Sequence, residues 1–283
     1  MAFTEPFLHK EKPILITESW TSLHPRLIAG FSTKLEGESR VQKNTLNLGL
    51  HVGDSTELVL KNREKAAALL GFSGDSWVCA EQVHDHHIQK VGQRKNQDLG
   101  FTSYDHAIKG ADGLYTDQEG LLLALCYADC VPLYFFAGDR NMIGAAHAGW
   151  KGSVGNIGGK MVDIWREEEN ISPETVFVII GPSIGSCCYE VDDYVKSKAD
   201  SVLFDKKITN PPYLEKDSGK YALDLKELNR QLLIASGVKK EHIITSSLCT
   251  SCEDNLFFSH RRDNGHTGRM MSFIGISKED KEN

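Results

Sequence analysis

Apolar positions along this chain gather into short unbroken runs more often than into long stripes. Leu121–Cys126, Val131–Phe136 and Met142–Ala146 are continuous and of strand length, which predicts strands buried on both faces. Leu27–Phe31, Trp77–Cys79, Val176–Ile180, Ile243–Ser247 and Met270–Ile274 predict further strands. Helical spacing appears in three places. Leu58, Lys61, Asn62, Ala66, Leu69 and Leu70 form one stripe, stopped by Gly71. Val154, Ile157, Met161, Ile164 and Trp165 form a second, opened by Gly149–Ser153, and Asp224–Ala235 a third, with Asp224 as its cap and Gly237 as its stop. Lys34–Asp54 and Gln93–His106 read as loops, Ala111-Asp112-Gly113 as a turn, residues 1–25 as mixed and Ser277–Asn283 as a frayed charged tail. No repeat or linker divides the chain. The expectation is one α+β domain over residues 1–283, its core spanning about 27–275.

Composition narrows the class. An apolar fraction of 40% supports a sizeable core, and a net charge of −7 argues against general affinity for nucleic acid or an anionic membrane. Charged residues interrupt the first twenty positions, and no stretch is long and apolar enough to span a bilayer. The seven cysteines are an odd number in a chain too long to need staples. A reduced cytoplasmic protein is expected, its thiols serving as core residues, ligands or nucleophiles.

Two segments carry chemistry at strand ends. Ala128-Asp129-Cys130-Val131-Pro132 delivers a thiol, and Ala146-His147-Ala148-Gly149-Trp150-Lys151-Gly152 an imidazole. If Val131–Phe136 and Met142–Ala146 form a hairpin around Gly138-Asp139, Cys130 and His147 lie at the same end of it. His84 stands in a polar loop beside His86 and His87, and His84-Asp85-His86 has the H-x-H form. Two imidazoles and a thiolate would give a metal three ligands and one open position. The glycines around Trp150-Lys151 suggest an anion site at a helix start or a plain strand-to-helix turn. Arg63, Arg261, Arg262 and Arg269 are further cations. Cys249-Thr250-Ser251-Cys252 is a C-x-x-C without a second C-x-x-C to complete a zinc site, and Cys187-Cys188 are vicinal; both read as packing.

An ordered set of short motifs adds to this reading. Phe31-Ser32-Thr33, Asn47-Leu48-Gly49, Asn62-Arg63, Gln82-Val83-His84, Ala128-Asp129-Cys130, His147-Ala148-Gly149-Trp150, Gly181-Pro182-Ser183, Cys249-Thr250, Arg261-Arg262-Asp263 and Thr267-Gly268-Arg269 follow one another along the chain. Together they resemble the laccase-domain family, also called YfiH-like or polyphenol-oxidase-like and now regarded as purine nucleoside phosphorylases. The resemblance implies layered mixed β-sheets flanked by helices, and one zinc ion held by His84, Cys130 and His147. It implies phosphorolysis of inosine, guanosine, adenosine and S-methyl-5′-thioadenosine to free base and ribose 1-phosphate, and hydrolytic deamination of adenosine to inosine. Where the family carries an aromatic before the arginine pair, this chain has His260, and its loop after Thr33 lacks the usual arginine and paired glycines.

On that reading Cys130, His147 and Asp129 are the catalytic candidates, Asp129 either as a proton donor or as support for a ligand histidine. Arg63, Asn47, Lys151 and Arg261 are the candidates for nucleoside or phosphate contact. The expected partners are small molecules, with a homodimer left open. Three rivals stand beside it: a copper-dependent polyphenol oxidase, a metal-free hydrolase with Cys130 as nucleophile and His147 as base, and a binding protein with structural zinc.

Overall fold

The computed structural model describes residues 5–8, 12–20, 22–41, 45–92, 97–217 and 219–278. Parts of four sequence readings, at residues 1–4, 9–11 and 21, at 42–44, at 93–96 and at 279–283, lie outside them. Two sheets stack face to face. One has five strands in the order β1 (Ile14–Ile16), β2 (Leu27–Ser32), β14 (Met270–Ile276), β6 (Leu122–Tyr127) and β3 (Trp77–Cys79). The other has six, in the order β13 (Ile243–Thr245), β9 (Phe177–Ile180), β7 (Val131–Ala137), β8 (Met142–Ala148), β5 (Gly113–Thr116) and β4 (Ile88–Lys90). Both are mixed: β3 runs parallel to β6, β13 to β9 and β4 to β5, while the other pairings are antiparallel. A third, antiparallel sheet joins β10 (Glu190–Asp192), β12 (Lys220–Leu223) and β11 (Tyr213–Glu215).

The unbroken apolar runs follow from this layering. Along β7, Tyr134 and Phe136 face the five-stranded sheet and pack in one core with Phe31, Leu123, Leu125 and Tyr127. Leu133 and Phe135 face the opposite way, onto Met161 and Trp165 of α3 (Ile157–Glu167) and Leu228 and Leu232 of α5 (Leu225–Ala235). With both faces covered there is no solvent side for polar residues to occupy, so alternation disappears. The outer face of the five-stranded sheet, through Trp77, Leu122, Ala124 and Phe273, is covered by Ala66 and Leu70 of α1 (Thr56–Leu70). The Tyr134 hydroxyl donates to the Gly30 carbonyl at 2.8 Å and ties the stacked sheets together. The result is an α+β domain of layered sheets with helices on the outside. No helix among the described residues is long and apolar enough to cross a membrane.

The expected strands and caps match closely where the pattern is strong. Gly71 ends α1 at φ 70°, and the Asp224 side chain accepts from the Glu227 N–H at 2.9 Å to start α5. The second helical stripe is two helices, not one. α2 (Trp150–Val154) stops at Gly155, and Asn156, at φ 55°, opens α3 by accepting from the Gly159 N–H. The short strands β1, β4, β5 and β10–β12, and the helix α4 (Asp193–Asp205), were not predicted. The strands have three or four residues each, and their apolar pattern is too short to read.

Candidate metal centre and active site

The β7–β8 hairpin places the first two candidate ligands. Pro132 pairs with His147 and Val131 with Ala148, so Cys130 and His147 share one end of the six-stranded sheet. His84 arrives from elsewhere, on the loop that leaves β3 in the five-stranded sheet for β4 in the six-stranded one. The donor atoms of His84, Cys130 and His147 all lie within 4.8 Å of one another, and the two imidazole rings meet edge to face at 4.8 Å. Gly149 makes this approach feasible, because a Cβ there would stand 3.0 Å from Cys130 Sγ and 3.4 Å from His84 Cδ2. The glycine thus clears space for the ligands. The five-residue α2 behind it is no built anion site.

Asp112 holds two of the three candidate ligands. Its Oδ1 accepts from His147 Nδ1 at 2.8 Å and from the His84 N–H at 3.1 Å. Its Oδ2 accepts from the N–H groups of Val83 and Asp85 at 3.0 and 2.9 Å. This matters because Gln82 and His84 both adopt left-handed backbone, at φ 60° and 61°, which costs non-glycine residues energy unless the surroundings enforce it. The Gln82 amide adds a second clamp, exchanging 2.7 Å hydrogen bonds with the main chain of Cys126. With Nδ1 of His147 engaged, Nε2 is left for the centre. A carboxylate behind a ligand histidine is the usual support of a metal site. Two imidazoles and a thiol suit a borderline divalent metal, and among the described residues no fourth protein donor joins them.

Electrostatics fit such a centre. Burial pushes the Cys130 thiol up, but His147 and His84 outweigh it and bring it down to about 6. Burial likewise lowers His147, and Cys130 and Asp112 outweigh it and raise it to about 9. The three residues line a cavity of about 470 Å³. Tyr104, Trp150 and Tyr189 give it flat aromatic walls, and Arg261, Arg269 and His260 supply polar groups. His51, tilted against Tyr104 with ring centroids 5.1 Å apart, also lines it. Burial, with Arg269 and Arg63 nearby, lowers His51 to about 4, so it is neutral at pH 7.

The other sequence candidates divide. Arg261 lines the cavity, with its guanidinium 4.9 Å from the Tyr189 ring and one N–H donated to the Glu190 carbonyl at 2.9 Å. Asp129 touches the cavity, but it supports no ligand histidine. Its carboxylate accepts from Thr250 Oγ1 at 2.7 Å, Ser259 Oγ at 3.0 Å and the Arg261 N–H at 2.7 Å. Support of His147, considered for Asp129, belongs to Asp112. Asn47 is fully buried and reaches the site only indirectly, its Oδ1 accepting from the N–H groups of Arg269 and Gly49. Arg63 is buried outside the main cavity, its donors given to the carbonyls of Leu48, Gly100 and Phe101 at 2.6–2.8 Å. Lys151 is exposed, stands over the outer Trp150 ring and does not line the cavity. Direct phosphate contact by Asn47, Arg63 or Lys151 therefore has no support in the geometry. His86 is not part of the cluster either; its Nδ1 lies 2.8 Å from Asp85.

Sequence reasoning passes over Asp112 and His51 as site residues, whereas Arg269, one of the further cations it names, lines the cavity. By sequence Asp112 reads as a turn residue. Its signal was an acidic residue at the start of a strand, and it becomes visible only once Gly113 is paired with Ala146, which brings Asp112 beside His147.

Comparison with known proteins places this geometry. Residues 28–277 match the family described as Multi-copper polyphenol oxidoreductase laccase. The purine nucleoside phosphorylase YlmD of Geobacillus stearothermophilus is 51% identical over 253 residues, covering 89% of this chain and 91% of that protein. The purine nucleoside phosphorylase YlmD of Bacillus subtilis is 44% identical over 276 residues, covering 96% and 98%. The crystal structure of YlmD from Geobacillus stearothermophilus superposes with a TM-score of 0.90 at 46% identity, covering 97% of this chain and all of that one. The chain belongs to this laccase-like family.

Proposed function

We propose that this member of the laccase-like family is a zinc-dependent purine nucleoside phosphorylase that also deaminates adenosine. The observation that carries the reading is the meeting of His84, Cys130 and His147, with Asp112 behind them, inside a cavity of nucleoside size that also holds arginines. The names of the relatives support the phosphorylase part of this reading. Zinc held by those three residues would supply a Lewis acid that stabilises developing negative charge. The aromatic faces of Tyr104, Trp150 and Tyr189 suit stacking against a purine. Arg261, with most of its fork uncommitted, and Arg269 suit an anion. In phosphorolysis a phosphate oxygen bonds to C1′ as the C1′–N9 bond breaks, and the electron pair leaves with the purine, which takes up a proton. The arginines hold the phosphate, the aromatic walls orient the base, and Asp112 keeps His147 and the His84 loop in place. In deamination water adds at C6 and ammonia departs from the same carbon. The substrate range of inosine, guanosine, adenosine and methylthioadenosine is part of this proposal.

The test couples metal analysis to an inosine assay. Hypoxanthine should appear only with phosphate present, and replacing Cys130 by Ala should remove both activity and the ion at this centre. Activity that survives that replacement with zinc still bound there would overturn the reading. One observation favours a second reading: the lowered Cys130 thiol paired with a raised His147 is also what a metal-free thiol hydrolase would use. Chelation separates the two, leaving a thiol hydrolase active and silencing a zinc enzyme. The copper oxidase reading uses the same donors and requires stoichiometric copper with intense blue colour.

A further inference from the structure

A second group of ligand-bearing side chains lies outside the centre already described. Cys187, Cys188, Cys249 and Cys252 bring four sulfurs within 4.8 Å of one another. The fold makes this meeting unavoidable. β9 and β13 are parallel neighbours, so the loops leaving their C-terminal ends run side by side. Ser183 and Cys249 form a bridge there, and the Thr250 N–H donates to the Ser183 carbonyl at 3.0 Å. The vicinal pair sits on the first loop and the C-x-x-C on the second.

We propose that these four cysteines bind a structural zinc ion, distinct from the one at His84, Cys130 and His147. Cys252 Sγ lies 3.4 Å from Cys188 Sγ and 3.6 Å from Cys187 Sγ. Zinc–sulfur bonds of about 2.3 Å in a tetrahedron put sulfurs about 3.8 Å apart, so these separations already approach a tetrathiolate. A disulfide would need about 2.05 Å, and all seven cysteines are free thiols. The backbone supports sulfur as an acceptor: the Gly185 N–H donates to Cys249 Sγ at 3.2 Å, and the N–H groups of Ser251 and Cys252 also reach it. Such N–H···S bonds stabilise thiolates, the form a metal requires. Four protein ligands close the coordination shell, which makes the site structural and not catalytic.

The position gives the ion a purpose. It would join two loops 64 residues apart in sequence. Both border the active cavity: the first contributes Ile184 and Tyr189 to its lining, and the second carries Thr250, whose hydroxyl is bound to Asp129 beside Cys130. Arg262 Nη1 adds a bond to the Thr250 carbonyl at 3.2 Å. The zinc would hold the wall that presents Tyr189 and Arg261.

The test uses the full chain purified under reducing conditions with zinc, then measures metal per chain by mass spectrometry. Wild type should carry about two zinc ions, Cys130→Ala about one, and Cys188→Ser/Cys252→Ser about one. Replacing zinc by cobalt should give strong thiolate-to-cobalt charge-transfer absorption that persists in Cys130→Ala and falls, in the double serine variant, to the weak band of the single Cys130 thiolate. If the serine variant does not fold, the Cys130→Ala protein still decides, because its remaining ion must show the four-thiolate spectrum. A Cys130→Ala protein free of metal, a remaining ion without that spectrum, or a disulfide within the cluster in the freshly isolated chain would overturn the proposal. Loss of activity with the thiolate ion intact would fault only the functional reading.

Discussion

Replacing Asp112 by Asn removes one charge and changes no volume, yet it should damage both stability and metal binding. The carboxylate serves four donors, two on each oxygen: His147 Nδ1 and the His84 N–H on Oδ1, the Val83 and Asp85 N–H groups on Oδ2. An amide has only one oxygen. Whichever way it flips, two donors face an NH₂ group that cannot accept. Asp112 is fully buried, so no water relieves them. Each stranded donor costs about 1–3 kcal/mol, which gives a loss of about 2–6 kcal/mol. The flip also decides the function. If Oδ1 is kept, the left-handed Val83–Asp85 turn loosens; if it is lost, His147 is free to turn. Loss of support behind a ligand histidine typically costs about 10–100-fold in metal affinity or activity. Urea unfolding and zinc competition against a chromophoric chelator measure the two effects. An Asp112→Asn protein within about 0.5 kcal/mol of wild type, with zinc affinity inside about twofold, would refute the argument that this carboxylate organises the centre.

Three further outcomes follow from the same structure. Arg63→Ala should destabilise by about 3–6 kcal/mol, at one to two kcal/mol per stranded carbonyl, while the phosphate KM of the protein that remains folded stays unchanged; a selective rise in that KM would restore Arg63 to the anion site. Arg261→Ala and Arg269→Ala should each raise the phosphate KM by about 10–100-fold, the equivalent of one charge-assisted hydrogen bond of about 1.5–3 kcal/mol, with a smaller effect on the nucleoside KM; steady-state kinetics varying each substrate separately decides this. His51 is held near 4 by burial and by Arg269, Arg63, His84 and His147, below its ordinary 6.5. The unfolded chain therefore takes up its proton first, and the stability this neutral histidine contributes falls as pH drops from about 6.5 towards 4, a loss that solvent screening reduces because the residue is open to water on one side. Urea midpoints of wild type and His51→Gln at pH 7.5 and 5 should show wild type losing more; parallel losses would contradict the assignment.

How far the site was legible in the sequence depends on how far apart its parts lie. Cys130 and His147 were placed correctly because a single hairpin joins them, and the continuous runs on either side of Gly138-Asp139 predict that hairpin. The strong helices and caps were legible for the same local reason. His84 was not placeable from pattern, because its position depends on a loop crossing between two sheets whose stacking no local period encodes. The layered sheets and the candidacy of His84 as a third ligand are implied by the ordered motifs and their family resemblance. The four-cysteine cluster is not legible in the sequence, because neither C-C nor C-x-x-C specifies the other as its partner; only the parallel pairing of β9 with β13 brings their loops together.

Asp112 and Asp129 show why the remaining roles resisted reading. Asp129 is the immediate neighbour of Cys130, so sequence proximity nominates it as the carboxylate that supports or protonates. Its backbone, however, sits at φ 89°, and its carboxylate is turned onto Thr250, Ser259 and the Arg261 N–H. Asp112, 35 residues from His147 along the chain, is the one that touches it. A strand sends successive side chains to opposite faces, and adjacent residues at a turn diverge further. The partners of a catalytic side chain therefore come from neighbouring strands more readily than from neighbouring positions. Here β5 pairs with β8 in the register Gly113 to Ala146, which delivers Asp112 to His147. The two acids thereby divide the cavity between them: Asp112 orders the side that holds the ligands, and Asp129 orders the loop that presents Arg261, the group best placed to meet an anion.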